Sequence, residues 1–87
     1  MTRDEVLELI RAHLADELEI DPARVTEETH FKRDLDADSL DLYTLVQELE
    51  DRYAVHISDE QAARILTVGQ AVDFVLATAV ADREPGP

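Results

Sequence analysis

The sequence predicts an all-α domain: a small four-helix bundle of three longer helices and a short third one, with a long loop between helices one and two. Three observations carry this. Helix-start signals, a Ser, Thr or Asp with Glu, Gln or Asp three residues later, precede four segments. Within those segments the apolar residues recur at helical spacing. The chain also has only two glycines and three prolines in 87 residues, too few for a turn-rich β fold, and its apolar residues are mostly Leu, Val, Ile and Ala.

The first helix is expected from about Arg3 to about Leu18. Thr2 and Glu5 form its start signal, and Val6, Leu7, Ile10, Leu14 and Leu18 its apolar face. A loop of about twenty residues follows, unusually long unless functional or internally anchored. Asp21-Pro22 reads as a cap with proline opening a short helical turn, and Val25, Phe31 and Leu35 are expected to drop into the core. Asp38 and Asp41 start the second helix, whose buried stripe is Leu42, Leu45, Val46, Leu49 and Tyr53. Ile57 is read as a core plug. Ser58 and Gln61 open the short third helix, with Ala62 and Ile65 facing in. Thr67 and Gln70 open the fourth, with Val68, Ala71, Val72, Val75 and Leu76 inward. One domain is expected over residues 1–81, with a frayed tail over 82–87.

Composition narrows the function. The net charge is -13, and residues 34–60 hold nine acids against one base, Arg52. Such a surface repels nucleic acid and anionic membrane, and steers partners with basic patches. With no cysteine, neither a disulfide nor a thiolate metal site is available. No signal-peptide pattern opens the chain, and its longest apolar stretch, Phe74 to Ala81, is too short to span a bilayer. The expectation is a cytoplasmic protein without membrane insertion.

Ser39, in Asp38-Ser39-Leu40, is the most informative residue. It lies at the start of an acidic amphipathic helix with no activating base spaced around it, a poor setting for a nucleophile. The setting suits a phosphate, because the first N–H groups of a helix lack intrahelical partners and the helix dipole favours an anion there. Two rival chemistries fail. Asp34, Asp36 and Asp38 alternate as in a calcium loop, but the sixth position is Ser39 rather than glycine and the twelfth is Leu45 rather than Glu. No specific metal site is expected, only weak divalent binding by the acid cluster. Hydrolysis lacks a G-x-S-x-G elbow, and His13, His30 and His56 are scattered as ordinary surface residues.

The run Phe31-Lys32-Arg33-Asp34-Leu35-Asp36-Ala37-Asp38-Ser39-Leu40-Asp41 resembles the prosthetic-group attachment site of acyl carrier proteins. The likeness extends from about Thr2 to Ala79. Leu45 to Tyr53 is similar to the family's "L-V-x-x-L-E-E-x-F" stretch, Ile57-Ser58-Asp59-Glu60 to its "I-P-D-E", and Thr67 to Val75 to its "T-V-x-x-A-V-x-Y-I". These later matches look most like the discrete carriers of bacterial type II fatty acid synthesis.

The resemblance implies 4′-phosphopantetheine on Ser39, placed there from coenzyme A by a phosphopantetheinyl transferase. It also implies an arm thiol that carries acyl chains as thioesters, and no catalysis by the chain itself. The implied partners are that transferase and acyltransferases, ketosynthases and other acyl-processing enzymes with basic docking patches. The implied docking residues are Asp38, Leu40, Asp41, Glu48, Glu50 and Asp51, on a monomer. Two departures stand out. The family commonly has glycine where Asp36 stands, and Thr44 and Gln47 replace a frequent Glu and Met. They leave open a specialised carrier for a polyketide or another acyl or aminoacyl pathway. The alternative of another class is an unmodified acidic helical module that binds basic partners or divalent cations.

Overall fold

Helix starts fall where side-chain oxygens take over N–H groups that a helix cannot satisfy internally. The computed structural model describes residues 2–83, with side chains through residue 78. It contains α1 (Arg3–Leu18), a 3-10 turn (Pro22–Arg24), α2 (Phe31–Leu35), α3 (Ser39–Tyr53), α4 (Asp59–Ala63) and α5 (Val68–Arg83). Residues 84–87 of the expected tail lie outside the described residues.

All four expected starts are in place. Thr2 Oγ1 accepts the Glu5 N–H at 3.2 Å. Asp38 and Asp41 make a reciprocal capping box, as do Ser58 and Gln61. Gln70 donates its N–H to Thr67 Oγ1 at 3.2 Å, and its side-chain oxygen accepts the N–H groups of Leu66 and Thr67 at 2.7 and 3.1 Å. The Asp21 cap and Pro22 turn also form.

The core follows the predicted stripes. Val6, Ile10, Leu14, Leu45, Leu49, Val68, Ala71, Val72 and Val75 are buried, together with the loop anchors Val25, Phe31 and Leu35 and the plug Ile57. Leu42, Val46, Tyr53, Ala62 and Ile65 pack against them, half-buried. Helix α1 packs on α5 and α3, and α3 on α5. The short α4 has no fully buried residue, and only its half-buried Ala62 packs against the core cluster.

The fold adds one helix to the expectation. Segment Phe31–Leu35, read as two anchors in a loop, is a single α-helical turn-and-a-half. His30 is its N-cap: Nδ1 accepts the Arg33 N–H at 3.1 Å, while Asp34 Oδ2 accepts the His30 N–H at 2.7 Å. His30 is therefore structural rather than an ordinary surface residue. His13, expected near the exposed side, is half-buried with Nε2 3.4 Å from Thr44 Oγ1, between α1 and α3.

The long loop caps α5. The Val68 N–H donates to Thr29 O at 2.9 Å and the Gly69 N–H to Glu27 O at 2.8 Å, while the Phe31 N–H donates back to Leu66 O at 3.1 Å. Gly69 allows this approach, since a Cβ there would lie 2.8 Å from Glu27 O. Arg3 clamps the same corner through ion pairs with Glu27 and Asp73, which raise its already high pKa.

Candidate functional site

The segment before Ser39 is set by three local choices. Helix α2 ends at Asp36 in the left-handed region, φ 56° and ψ 32°. The Asp36 and Ala37 N–H groups close on Lys32 O and Phe31 O at 3.1 and 3.0 Å, and Ala37 is buried. Asp38 then adopts extended backbone and caps α3, which makes Ser39 the first helical residue. Asp36 thus holds a left-handed position, which Asp occupies more readily than most residues.

Ser39 is exposed. Its neighbours Asp38 and Asp41 are tied together: the Asp41 N–H donates to Asp38 Oδ1 at 2.9 Å, and the Asp38 N–H to Asp41 Oδ2 at 3.1 Å. These two acids fix the helix start and leave the Ser39 hydroxyl outside the box. The alternating acids do not converge as a calcium loop requires. Asp34 is engaged with the His30 N–H, Asp36 ends α2, and Asp38 caps α3. No group of three or more His, Cys, Asp or Glu able to hold a metal occurs among the described residues.

Two hollows flank α3. One, about 530 Å³, is a cleft between α3 and α4 that Ser39 borders. Its walls are apolar, including Leu42, Val46, Leu49, Ile57, Ala62 and Ile65, and its rim carries Lys32, Gln47, Glu50, His56 and Asp59. The other, about 1000 Å³, is an open groove between α1 and α3 lined by Asp4, Glu5, Glu8, Asp16 and Glu48, with Arg52 and Tyr53. The Tyr53 hydroxyl is raised in pKa, chiefly by burial and also by Glu5, against an opposing effect of Arg52.

The expected docking residues divide between these sides. Leu40 is exposed, at 68% of its surface, and so is Asp51. Glu48 faces the α1 groove and pairs with Arg52 at 4.0 Å. Glu50 is only 24% exposed. One of its oxygens accepts the Ile57 N–H at 2.9 Å and lies 3.6 Å from His56 Nδ1, so it has a structural duty as well. Sequence reasoning passed over Lys32, Tyr43 and His56 as site residues. Tyr43 could have been found as an aromatic on the polar face of α3; it is 57% exposed and borders the cleft beside Ser39.

A small helical bundle with an exposed serine opening a helix beside an apolar cleft is matched closely by known proteins. The family model described as "Phosphopantetheine attachment site" matches residues 8–75. An acyl carrier protein from Rubrobacter xylanophilus is 47% identical over 76 residues, which is 87% of this chain and 94% of that one. The chain belongs to the acyl carrier protein family. A second acyl carrier protein, from Thermosynechococcus vestitus, is 43% identical over 86% of this chain and 93% of its own length. The solved acyl carrier protein of Enterococcus faecalis superposes with a TM-score of 0.77 at 41% identity, covering 90% of this chain and 99% of that one. As an acyl carrier protein, the chain is a carrier rather than a catalyst, and its prosthetic group is 4′-phosphopantetheine. The residues fit that group: an exposed hydroxyl, a helix N-terminus suited to an anion, and an adjoining apolar cleft. No described helix is long and apolar enough to cross a membrane.

Proposed function

We propose that Ser39 is the attachment residue and that the protein carries acyl intermediates of bacterial fatty acid synthesis as thioesters. The observation that carries the reading is the exposed Ser39 at the first helical position of α3, bordering the apolar cleft. The prosthetic group supplies the thiol that this cysteine-free chain lacks. The chain's own residues do the rest. The α3 N-terminus favours the phosphodiester charge. The cleft between α3 and the short α4 gives an aliphatic chain a place away from water. Asp38, Leu40, Asp41, Glu50 and Asp51 form the docking surface, with Glu48 at its far edge. Because Asp38 and Asp41 are locked in the capping box, their charges are presented at fixed positions to a basic partner. The protein then acts as a cytoplasmic, monomeric cosubstrate of a phosphopantetheinyl transferase and of acyltransferases and ketosynthases.

The test is intact mass after incubation with coenzyme A and a broad-specificity phosphopantetheinyl transferase. One phosphopantetheinyl group should be gained, and none by Ser39→Ala, whose helical circular dichroism should stay near that of the unmodified chain. A gain that survives Ser39→Ala would refute the site. No gain by the folded chain would favour an unmodified acidic binding module.

A further inference from the structure

We propose that Lys32 is the counter-ion of the phosphodiester at Ser39 and directs the arm to the α3–α4 side of the bundle. The proposal rests on Ser39 being the attachment residue. A phosphodiester there adds negative charge among Asp36, Asp38 and Asp41, and the last two cannot swing away because each caps the other. Relief must come from a nearby cation. Lys32 is the one Lys or Arg on the rim of the cleft that Ser39 borders, among the described residues. It is exposed, and no acid lies within ion-pair distance of it among those residues; Arg24, Arg33 and Arg64 are also unpaired but lie off this rim, and Arg3, Arg11 and Arg52 are paired. Its backbone is fixed between the buried anchors Phe31 and Leu35, and its carbonyl accepts the Asp36 N–H. The side chain is therefore free while its origin is not.

The two hollows beside α3 differ in charge. The α1 groove carries five acids, and its one Arg, Arg52, is already paired with Glu48. The α4 cleft carries Lys32, and of its two acids Glu50 is engaged with Ile57. An anionic linkage at Ser39 is thus repelled less on the α4 side, where Lys32 stands against two acids, than on the α1 side, where Arg52 stands against five. Lys32 is a positioning residue: it sets the direction of the arm's first segment and with it the hollow that receives the cargo.

The experiment compares apo and holo forms of the wild type, Lys32→Gln, Lys32→Arg and Arg33→Gln, each holo sample verified by mass to carry one arm. Readouts are the holo-minus-apo Tm at low salt and the amide shifts that arm attachment induces. In Lys32→Gln the holo-minus-apo Tm should fall by about 2–4 °C relative to the wild type, and the difference should vanish at high salt. The arm-induced shifts at Ile57 and Ile65 should shrink together with it. Lys32→Arg should restore both, and Arg33→Gln, which alters a cation off the rim, should change neither. Unchanged Tm differences and shifts in Lys32→Gln would overturn the proposal, as would an equal effect from Arg33→Gln. Arm attachment that survives Ser39→Ala would overturn the site reading, and this proposal with it.

Discussion

Replacing Glu50 with alanine should weaken the fold as well as docking. One Glu50 oxygen accepts the Ile57 N–H at 2.9 Å, and the Glu50 side chain is 24% exposed. Ile57 itself is a core plug at 5% exposure, so its N–H has little access to water. A hydrogen bond to a charged group is worth ~1.5–3 kcal/mol, and the partial exposure of Glu50 places this one at the low end, ~1.5–2 kcal/mol. For a domain of this size that is a fall in Tm of about 5–15 °C. Glu50→Gln keeps an acceptor oxygen and should lose less than ~1 kcal/mol. Asp51→Ala, one residue on and exposed, should stay within ~0.5 kcal/mol of the wild type. Thermal and urea unfolding followed by circular dichroism would measure all three. Glu50→Ala as stable as Asp51→Ala would refute the structural duty of this carboxylate. The ranking also decides how docking must be probed: a lysine at position 50 would confound lost charge with a loosened α3–α4 connection, whereas glutamine isolates the charge.

Other outcomes are equally specific. Ala54 ends α3 in the left-handed region at φ 54°. Ala54→Gly relieves ~1–2 kcal/mol of strain and adds ~0.4–1 kcal/mol of unfolded-chain entropy, so a net gain of roughly 0.5–1 kcal/mol should appear in urea unfolding, and a loss would contradict it. Gly69→Ala puts a Cβ 2.8 Å from the Glu27 carbonyl, a backbone atom held by its own hydrogen bond, and should destabilise by ~1–3 kcal/mol; an unchanged urea midpoint would show that the loop yields freely. Burial holds the Tyr53 proton more tightly in the folded than in the unfolded chain, so stability should be intact below about pH 10 and decline as pH rises through the folded value. Tyr53→Phe should flatten that decline, and equal alkaline slopes in the two proteins would argue against it.

What the sequence made legible was local. A cap needs only a short polar side chain and the residue three positions on, so Thr2, Asp38, Ser58 and Thr67 could all be read directly. Buried stripes needed only periodicity. What it concealed depends on contacts distant along the chain. Helix α2 is too short to declare itself by pattern, and it is held by Phe31 bonding to Leu66 and by the His30 cap. The Glu50 bond to Ile57 requires the chain to fold back after Ala54, and nothing in the alternation of acids marks it. At the site, Ser39 and its capping acids were readable from Asp38-Ser39-Leu40, whereas the place of Lys32 on the same cleft depends on how α2 packs beside α3.

The seam between the long loop and α5 has a consequence for motion. The amides of Val68 and Gly69 are bonded to Thr29 and Glu27, far off in sequence, so they can exchange with solvent only when the loop lifts away from the helix. Lifting the loop should expose the buried Val25 and Phe31 as well, so this opening should cost far more than local fraying. The α4 amides have no such seam, and α4 buries no residue fully. Hydrogen exchange should therefore divide the bundle into a slow half, α1 with the loop and α5, and a fast half around α4. The wall of the cleft beside Ser39 can then open and close on a shorter timescale than the framework that holds the serine in place.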